Sequence, residues 1–373
     1  MNQPNRLESL TFLRFIAAAA VVIYHFGTET VFYSFLPSAL KTGPLLVTFF
    51  FVLSGFVIAI ANFKKNISAK KFYINRFARI FPIYVVALVF FIKITDGSFM
   101  SGGFLLPLSM LQAWWPGYAL IGNTPSWSIS VEMFFYLVAP GFILLLNNPR
   151  GEVPYKWLVV SLSLLAASMV AAYILAQPPL YKGYPSASHD LIYYSPLAHI
   201  SSFILGFAGG VLFTASKNLI KIKDSYKVIA FVLSLIMVNA LWALAVKYTG
   251  QFDLIIPYSA SYFSLPFLAI IYTSALADKT LAKVPMMPFF VLLGESSYSL
   301  YILQLPVNIL ISKLIPAHYF LSPDSKFFFY FATLIIISIA SYKIVEVPVG
   351  RIIKNVLNRF IVTSMNLTNK NAL

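Results

Sequence analysis

The sequence predicts an all-α fold, a polytopic bundle of membrane helices. Hydrophobic residues make up 59% of the 373 residues and charged residues only 10%, whereas a typical soluble domain carries roughly 25% charged residues. The apolar residues lie in long stretches, and aromatic residues reach 17%, which suits helices whose ends lie among lipid headgroups. Lipid is therefore the expected solvent for most of the chain.

Ten stretches are long enough to cross a bilayer, because a helical crossing takes about 20 mostly apolar residues. Charged residues, proline or glycine mark their ends. The predicted spans are, in order, 8–26, 44–62, 78–95, 127–147, 156–176, 198–214, 227–247, 256–276, 289–313 and 326–345.

Positive charge predicts the orientation of these spans. The chain has 27 Lys and Arg residues, of which alternating loops place 20 on one side and 6 on the other, with Arg14 inside a span. Because short cytoplasmic loops carry the excess of Lys and Arg, both termini are predicted to be cytoplasmic. This bias explains the formal charge of +15, so no nucleic-acid partner is expected.

The first span carries two polar side chains of the kind that usually serve a function inside a membrane. Arg14 and His25 are 11 residues apart, about three helical turns, so they share one face and are separated by about 16 Å along the axis. In the predicted orientation Arg14 lies toward the cytoplasm and His25 toward the outer face. The alternative is that His25 is only a histidine at the level of the headgroups.

The third span begins with a second pair of cations. Arg76 and Arg79 are spaced i, i+3 and so share one face at the cytoplasmic end of the helix. Two guanidiniums at this spacing can bind phosphate oxygens, such as those of the pyrophosphate or 3′-phosphate of coenzyme A. Simple anchoring by positive charge is the alternative interpretation.

The fourth span begins at the outer face with a polar run. Trp127, Ser128 and Ser130 precede Glu132, the one acid of that span. At this depth Glu132 could meet His25 and orient its imidazole, which would then accept a proton from a hydroxyl. The alternative is that Glu132 pairs with a helix N-terminus or a buried arginine.

The ninth span is unusually polar between residues 294 and 304, so this stripe is expected to face the interior of the bundle. Tyr298, Tyr301 and Gln304 share a face through their i, i+3 spacing and are expected to line a cavity. The candidates for substrate contact are Trp127, Ser128, Ser130, Tyr298, Tyr301 and Gln304. Tyr298, Ser128 or Ser130 could also stabilise an oxyanion.

Five segments resemble, in order, signatures of the acyltransferase 3 family of bacterial integral-membrane acyltransferases. They are LESLTFLRFIAAAAVVIYHF with Arg14 and His25, FFFVLSGFVI, RFAR with Arg76 and Arg79, SWSISVEMFFY with Glu132, and SSYSLYILQLPV. Three positions depart from the family pattern. Thr48 replaces an acid, Gln304 replaces a frequent His, and the stretch at His199 replaces an Arg and Glu pattern.

The resemblance implies a multi-pass protein of the bacterial cytoplasmic membrane, with a transmembrane acyltransferase domain over residues 1–350 and a short basic cytoplasmic tail over 351–373. Members of this family pass acyl groups, commonly acetyl, from cytoplasmic acyl-CoA to glycans or related acceptors at the outer face. Acyl-CoA is thus the expected donor, a glycan or glycolipid the expected acceptor, and membrane lipid the surroundings; no metal is expected.

The family's essential His implies that His25 is catalytic here. Glu132 and Arg14 are expected to be catalytic together with His25, and Arg14, Arg76 and Arg79 would support donor binding. Two routes stay open, because His25 could act as a general base or could carry the acyl group itself. The acyl chain, the acceptor and the oligomeric state also stay open.

A transporter or flippase of a lipid-linked glycan or an organic anion is the alternative function. Ten spans with a polar interior would suit it. The sequence shows neither an internal repeat nor paired helices broken by Gly or Pro, which are typical of many transporters.

Overall fold

A computed structural model describes residues 7–62, 65, 68–95, 104–146, 154–252, 261–284 and 286–370. Within these ranges the chain is helical and has no strands. The α-helices are α1 Glu8–Phe26, α2 Val31–Phe35, α3 Gly43–Asn62, α4 Ala69–Ile94, α5 Leu105–Leu108, α6 Trp127–Leu146, α7 Pro154–Leu175, α8 Ala187–Tyr193, α9 Pro196–Ser216, α10 Asp224–Phe252, α11 Ser264–Leu281, α12 Met287–Glu295, α13 Ser297–Leu314, α14 Pro323–Ser341 and α15 Val347–Lys370. Short 3₁₀ helices lie at Ser38–Lys41, Gln112–Trp114, Thr124–Ser126 and Ala317–Tyr319.

The predicted helical membrane bundle is confirmed. Among the described residues, eight helices are long and apolar enough to cross a membrane. They are Glu8–Phe26, Leu45–Asn62, Ala69–Ile94, Thr124–Leu145, Tyr155–Leu175, Ala187–Ser216, Asp224–Thr249 and Pro323–Arg359. The predicted spans 256–276 and 289–313 correspond in the described residues to the shorter or more polar helices α11, α12 and α13. The count of ten and the orientation stay predictions.

The predicted continuous helix 289–313 is wrong in one respect, because the chain breaks at Ser296 between α12 and α13. The Ser296 hydroxyl donates to the Leu293 carbonyl at 3.1 Å and the Ser297 hydroxyl to the Gly294 carbonyl at 2.7 Å. Serine hydroxyls that bond to nearby carbonyls compete with the regular helical ladder. The polar stripe therefore starts a new helix, α13, which faces the bundle interior.

The helix α4 begins at Ala69, earlier than the predicted start at residue 78. The additional turns form because Phe72 and Ile74 are buried against the rest of the protein. As a result Arg76 and Arg79 lie inside a helix rather than at its first turn. This position holds both guanidiniums on a rigid element.

The C-terminal stretch is also helical. α14 continues through a π-helical turn at Tyr342–Glu346 into α15, which packs against α4. Residues 351–370 of the predicted basic cytoplasmic tail 351–373 are thus helical and follow α14 without a break, and residues 371–373 lie outside the described residues. The division into a membrane domain and a tail stays a prediction. Single π turns inside α-helices are frequent at functional sites.

The centre of the bundle is the close packing of α3 on α9. A Cβ atom at Gly206 would clash with the backbone carbonyl of Val52, and one at Gly55 would clash with the backbone carbonyl of Phe203. Small residues allow such backbone contact between membrane helices. The glycine of the FFFVLSGFVI segment therefore serves packing, and α3 in turn supports the residues that line the site below.

The substitution Gly206→Ala is expected to destabilise the protein by about 1–3 kcal/mol, the usual cost of overpacking a tight contact. The melting temperature of the purified protein in detergent should fall by several degrees. Gly141→Ala on α6 is the matched control, because a Cβ there meets no atom within 4 Å. Equal melting temperatures for the two variants would contradict the proposed helix contact.

Candidate active site

A cavity lies between α1, α3, α4, α6 and α13. Seven of the predicted site residues line it: Arg14, Arg76, Arg79, Ser128, Glu132, Tyr298 and Tyr301. The remaining lining residues are Val47, Phe50, Phe51, Leu53, Ser54, Val57, Ile129, Tyr136 and Ser297. Five helices that are far apart in sequence thus bring the predicted polar residues into one place.

The cavity has a cationic wall. Three arginines form this wall: Arg14 on α1, and Arg76 and Arg79 on α4. Each is half-buried, and each interacts electrostatically with the Glu132 carboxylate. The Arg76 guanidinium also lies over the Tyr136 ring, 5.4 Å from its centroid, a cation–π contact. Three guanidiniums against one lining carboxylate leave an excess of positive charge, which suits an anionic ligand.

Glu132 belongs to this arginine cluster. Its Oε1 accepts hydrogen bonds from the Tyr136 hydroxyl and, at 3.4 Å, from the Ser54 hydroxyl. The carboxylate therefore balances part of the arginine charge and is held by two hydroxyls. The electrostatic interaction of Glu132 with the arginines favours the alternative that the sequence left open, in which Glu132 pairs with an arginine.

The predicted pairing of Glu132 with His25 is wrong, because the partner of His25 is Gln304. The His25 Nδ1 atom lies 2.8 Å from the Gln304 Oε1 atom. Glu132 is the sixth residue of α6, about 7.5 Å along the axis from the first, and it points to the arginines. His25 itself is exposed at the last turn of α1, outside the lining of the cavity.

The tautomer of His25 follows from the hydrogen bonds of Gln304. The Gln304 Nε2 atom donates to the Tyr301 carbonyl at 2.8 Å, and a carbonyl can only accept. This bond fixes the orientation of the amide, so Oε1 is the atom that faces His25. His25 must then donate from Nδ1, which leaves Nε2 as the proton acceptor.

α13 connects this pair to the cavity. The Tyr301 hydroxyl, which lines the cavity, lies 2.8 Å from the Ser128 hydroxyl, while the Tyr301 carbonyl holds Gln304. The Tyr330 hydroxyl donates to the Gln304 carbonyl at 3.0 Å, and Asn123 Nδ2 donates to the Ile302 carbonyl at 2.7 Å. Neighbouring elements thus fix the helix turn that positions His25.

Tyr298 also lines the cavity, and it holds α13 against α4. Its hydroxyl donates to the Ile80 carbonyl at 3.2 Å. Because Ile80 follows Arg79 directly, this bond fixes the distance between the polar stripe and the arginine pair. The Tyr298 hydrogen is engaged by a backbone carbonyl, whereas the Tyr301 hydroxyl bonds to the hydroxyl of Ser128, which makes Tyr301 the better candidate for donation to a ligand.

Three predicted contact residues, Trp127, Ser130 and Gln304, do not line the cavity. The prediction that Gln304 lines it is therefore wrong. The Ser130 hydroxyl is fully buried and accepts from the Ala113 amide at 3.3 Å. Trp127 is buried beside Tyr194, with ring centroids 5.1 Å apart. Both side chains hold the outer end of α6, so neither is placed to touch a substrate in this structure.

The three positions that depart from the family pattern lie in different surroundings. Thr48 is buried in α3. His199 is buried between Phe51 and Trp127, and its Nε2 atom lies 3.0 Å from the Tyr193 carbonyl. Gln304 is the only one of these three departures that reaches His25. Glutamine in place of the frequent histidine therefore keeps a hydrogen-bond acceptor at position 304, which contacts His25.

Residues that sequence reasoning missed complete the cluster. Tyr136 and Ser54 hold Glu132, and Glu346 in the π turn accepts from the Ser299 hydroxyl at 3.0 Å. Glu346 is buried and interacts electrostatically with Arg79. A lone acid near the end of the last predicted span was the available signal for this residue.

The sequence predicts His25 as the catalytic residue, and Gln304→Leu removes its hydrogen-bond partner. This substitution is therefore expected to lower the kcat of acyl transfer by about 10- to 100-fold, the effect of a small error in the position of a reacting group. The KM for the donor should stay unchanged, since Gln304 lies outside the cationic wall. Gln304→His is the matched rescue variant, because a neutral imidazole keeps one donor and one acceptor. Steady-state kinetics that show equal losses of kcat for Leu and His would contradict the positioning role.

The family of the chain follows from comparison with known proteins. A family model described as an acyltransferase domain matches residues 7–343. The chain belongs to this acyltransferase family. The resemblance seen in the five sequence segments is therefore confirmed, and the helices identify a multi-pass membrane protein of that family. No solved structure gives a significant match to the chain.

Three curated relatives illustrate the family. An acyltransferase named MdmB from Streptomyces mycarofaciens is 31% identical over 198 residues, which cover 49% of this chain and 49% of that protein. The peptidoglycan O-acetyltransferase OatA of Listeria monocytogenes is 27% identical over 257 residues, which cover 61% of this chain and 39% of that protein. A putative O-acetyltransferase of Staphylococcus aureus is 22% identical over 376 residues, which cover 92% of this chain and 57% of that protein. The chain spans about half the length of these relatives.

Proposed function

We propose that this protein is a membrane O-acyltransferase that moves an acyl group, in particular acetyl, from cytoplasmic acyl-CoA to a hydroxyl of an extracytoplasmic or lipid-linked glycan. The observation that carries the proposal is the hydrogen bond between His25 Nδ1 and Gln304. His25 lies on the same face of α1 as Arg14, and Arg14 lines the cationic cavity. The names of the relatives, one of them a peptidoglycan O-acetyltransferase, support the reaction class and the acceptor class.

The donor is assigned to the cationic cavity. Acyl-CoA carries several phosphate charges, and guanidiniums bind phosphate oxygens in bidentate fashion. Arg76 and Arg79 would hold these phosphates, while Arg14 lies on the α1 face that leads toward His25. The pantetheine arm would follow that face for about 16 Å, the axial distance between the two residues.

His25 is assigned the role of general base. Its Nε2 atom would accept the proton of the acceptor hydroxyl while that oxygen attacks the thioester carbonyl. When the C–S bond breaks, the leaving sulfur would take the proton back from the imidazolium, so that CoA thiol and the ester are the products. Gln304 would keep Nδ1 protonated throughout and so act as a positioning residue.

The tetrahedral intermediate carries an oxyanion that needs a hydrogen-bond donor. Ser128 donates to the Pro125 carbonyl at 3.1 Å, so the hydrogen of the Tyr301–Ser128 contact belongs to Tyr301. The Tyr301 hydroxyl would turn from Ser128 to the oxyanion. The sequence suggested Tyr298, Ser128 or Ser130 as this donor. The donor proposed here is instead Tyr301.

Mass spectrometry of cell-surface glycans tests the proposal. Host cells that express the protein should show glycan masses raised by one acyl group, which adds 42 Da in the case of acetyl. Cells with the empty vector should not show this increase. The same membranes should release CoA from acetyl-CoA when the glycan fraction is added. A transporter or flippase would change the location of a glycan without changing its mass, and that result would overturn the proposed function.

A further inference from the structure

The C-terminal helix α15 is the starting point for an inference about donor binding. The family match ends at residue 343, inside the π turn Tyr342–Glu346, whereas the helix continues to Lys370. The residues of α15 therefore lie beyond the segment that defines the family.

Two contacts hold α15 against the cationic wall. Glu346, directly before α15, is buried, accepts from the Ser299 hydroxyl, and interacts electrostatically with Arg79. One turn later, a Cβ at Gly350 would lie 2.6 Å from the backbone oxygen of Ala78. Ala78 is next to Arg79 on α4, so α15 touches the backbone of the arginine turn itself.

This packing brings Lys354 to the arginine pair. Lys354 follows Gly350 by four residues and so lies on the same face of α15. Its side chain is half-buried, and its ammonium group interacts with the like charges of Arg79 and Arg76. By contrast, Lys343 in the π turn is exposed.

The charges of the cluster indicate the chemistry of a ligand. Its cations are Arg14, Arg76, Arg79 and Lys354, and its acids are Glu132 and Glu346. Glu295 in turn interacts with Glu346, so four cations against three carboxylates leave an excess of positive charge. Like charges repel at short range in a partly buried site, and a phosphate anion bound among the cations would reduce that repulsion.

We propose that Lys354 binds the pyrophosphate of the acyl-CoA donor together with Arg76 and Arg79, so that α15 forms part of the donor site. The proposal rests on the proposed acyl-CoA-dependent function. A pyrophosphate diester carries two negative charges, which would oppose the like charges of Lys354, Arg76 and Arg79. The headgroup of an anionic lipid offers the same phosphate chemistry, and the experiment separates the two sources.

Titration calorimetry of the full chain in phosphatidylcholine nanodiscs tests the role of Lys354. Lys354→Gln should weaken CoA binding by about tenfold, the effect of one charge-assisted hydrogen bond. The loss should be the same with 3′-dephospho-CoA, which keeps the pyrophosphate. Lys343→Gln, the matched control, should bind like wild type, and Lys354→Arg should retain most of the affinity.

Each other outcome has a distinct meaning. If wild type fails to bind CoA, the proposed function fails together with the inference. If wild type binds CoA and Lys354→Gln binds it equally well, only the inference is overturned. If Lys354→Gln loses affinity for CoA but not for 3′-dephospho-CoA, Lys354 contacts the 3′-phosphate and the pyrophosphate assignment is overturned. If the variant differs from wild type in phosphatidylcholine but not in discs with phosphatidylglycerol, a lipid headgroup occupies the site and the inference fails.

Discussion

Alanine at position 25 is expected to lower acyl transfer by about 10²- to 10⁴-fold, the usual contribution of a general acid–base group. His25 is exposed at the end of α1 and has Nδ1 engaged by Gln304, so only Nε2 can take the proton of an acceptor. No cysteine is present in the chain to replace it as a nucleophile. The rate of glycan labelling from radiolabelled acetyl-CoA in membranes measures the loss.

His318→Ala is the matched control for the His25 variant. His318 is likewise exposed and follows α13, so its replacement tests whether any exposed histidine affects the assay. CoA binding by His25→Ala should equal that of wild type, because His25 lies outside the cationic wall. Labelling by His25→Ala at the wild-type rate would refute the catalytic assignment.

Single-turnover kinetics distinguish the two possible roles of His25. A general base leaves no covalent trace, so rapid acid quenching of wild type with radiolabelled acetyl-CoA should give labelled glycan without labelled protein. An acyl-imidazole trapped on His25 would instead show that the histidine carries the acyl group. Either result keeps His25 at the reaction centre and decides how the proton and the acyl group move.

The helical class and the arginine pair Arg76 and Arg79 could be predicted because both depend on local spacing. Length and hydropathy define a membrane span, and the i, i+3 rule places Arg76 and Arg79 on one face. The shared face of Arg14 and His25 follows from helical geometry in the same way. These relations hold wherever the helix packs, so the sequence alone is sufficient for them.

The partner of His25 could not be predicted because it depends on contacts between helices. Glu132 and Gln304 both lie in spans that reach the outer half in the predicted orientation, and a carboxylate is the commoner partner for a histidine. The choice is made by the rotation of α6 and α13, which Tyr301, Asn123 and Tyr330 fix through hydrogen bonds. No sequence period encodes that rotation.

The approach of α15 to the site depends on one irregular turn. The π turn at Tyr342–Glu346 changes the direction of successive side chains, so that Glu346 is buried while Lys343 is exposed. A regular helical wheel would misplace every residue after it. The position of Lys354 near Arg79 and Arg76 therefore could not be predicted from the charges of this segment.

Arg79→Gln is expected to raise the KM for acetyl-CoA by about 10- to 100-fold with a small effect on kcat. A hydrogen bond to a charged group contributes about 1.5–3 kcal/mol, and 1.4 kcal/mol is a factor of ten. Lys71→Gln on the same helix is the matched control, because Lys71 is exposed. Arg79→Lys should fall between, since lysine keeps the charge but loses the planar fork.

A structural role of Arg79 must be separated from donor binding, because its removal leaves the buried Glu346 with less opposing charge. An uncompensated buried carboxylate is strongly destabilising. The double variant Arg79→Gln with Glu346→Gln removes both charges and should recover the melting temperature, while the KM stays high. Recovery of a wild-type KM together with the melting temperature would show that Arg79 only neutralises Glu346, and the donor would then have to bind through Arg14 and Arg76.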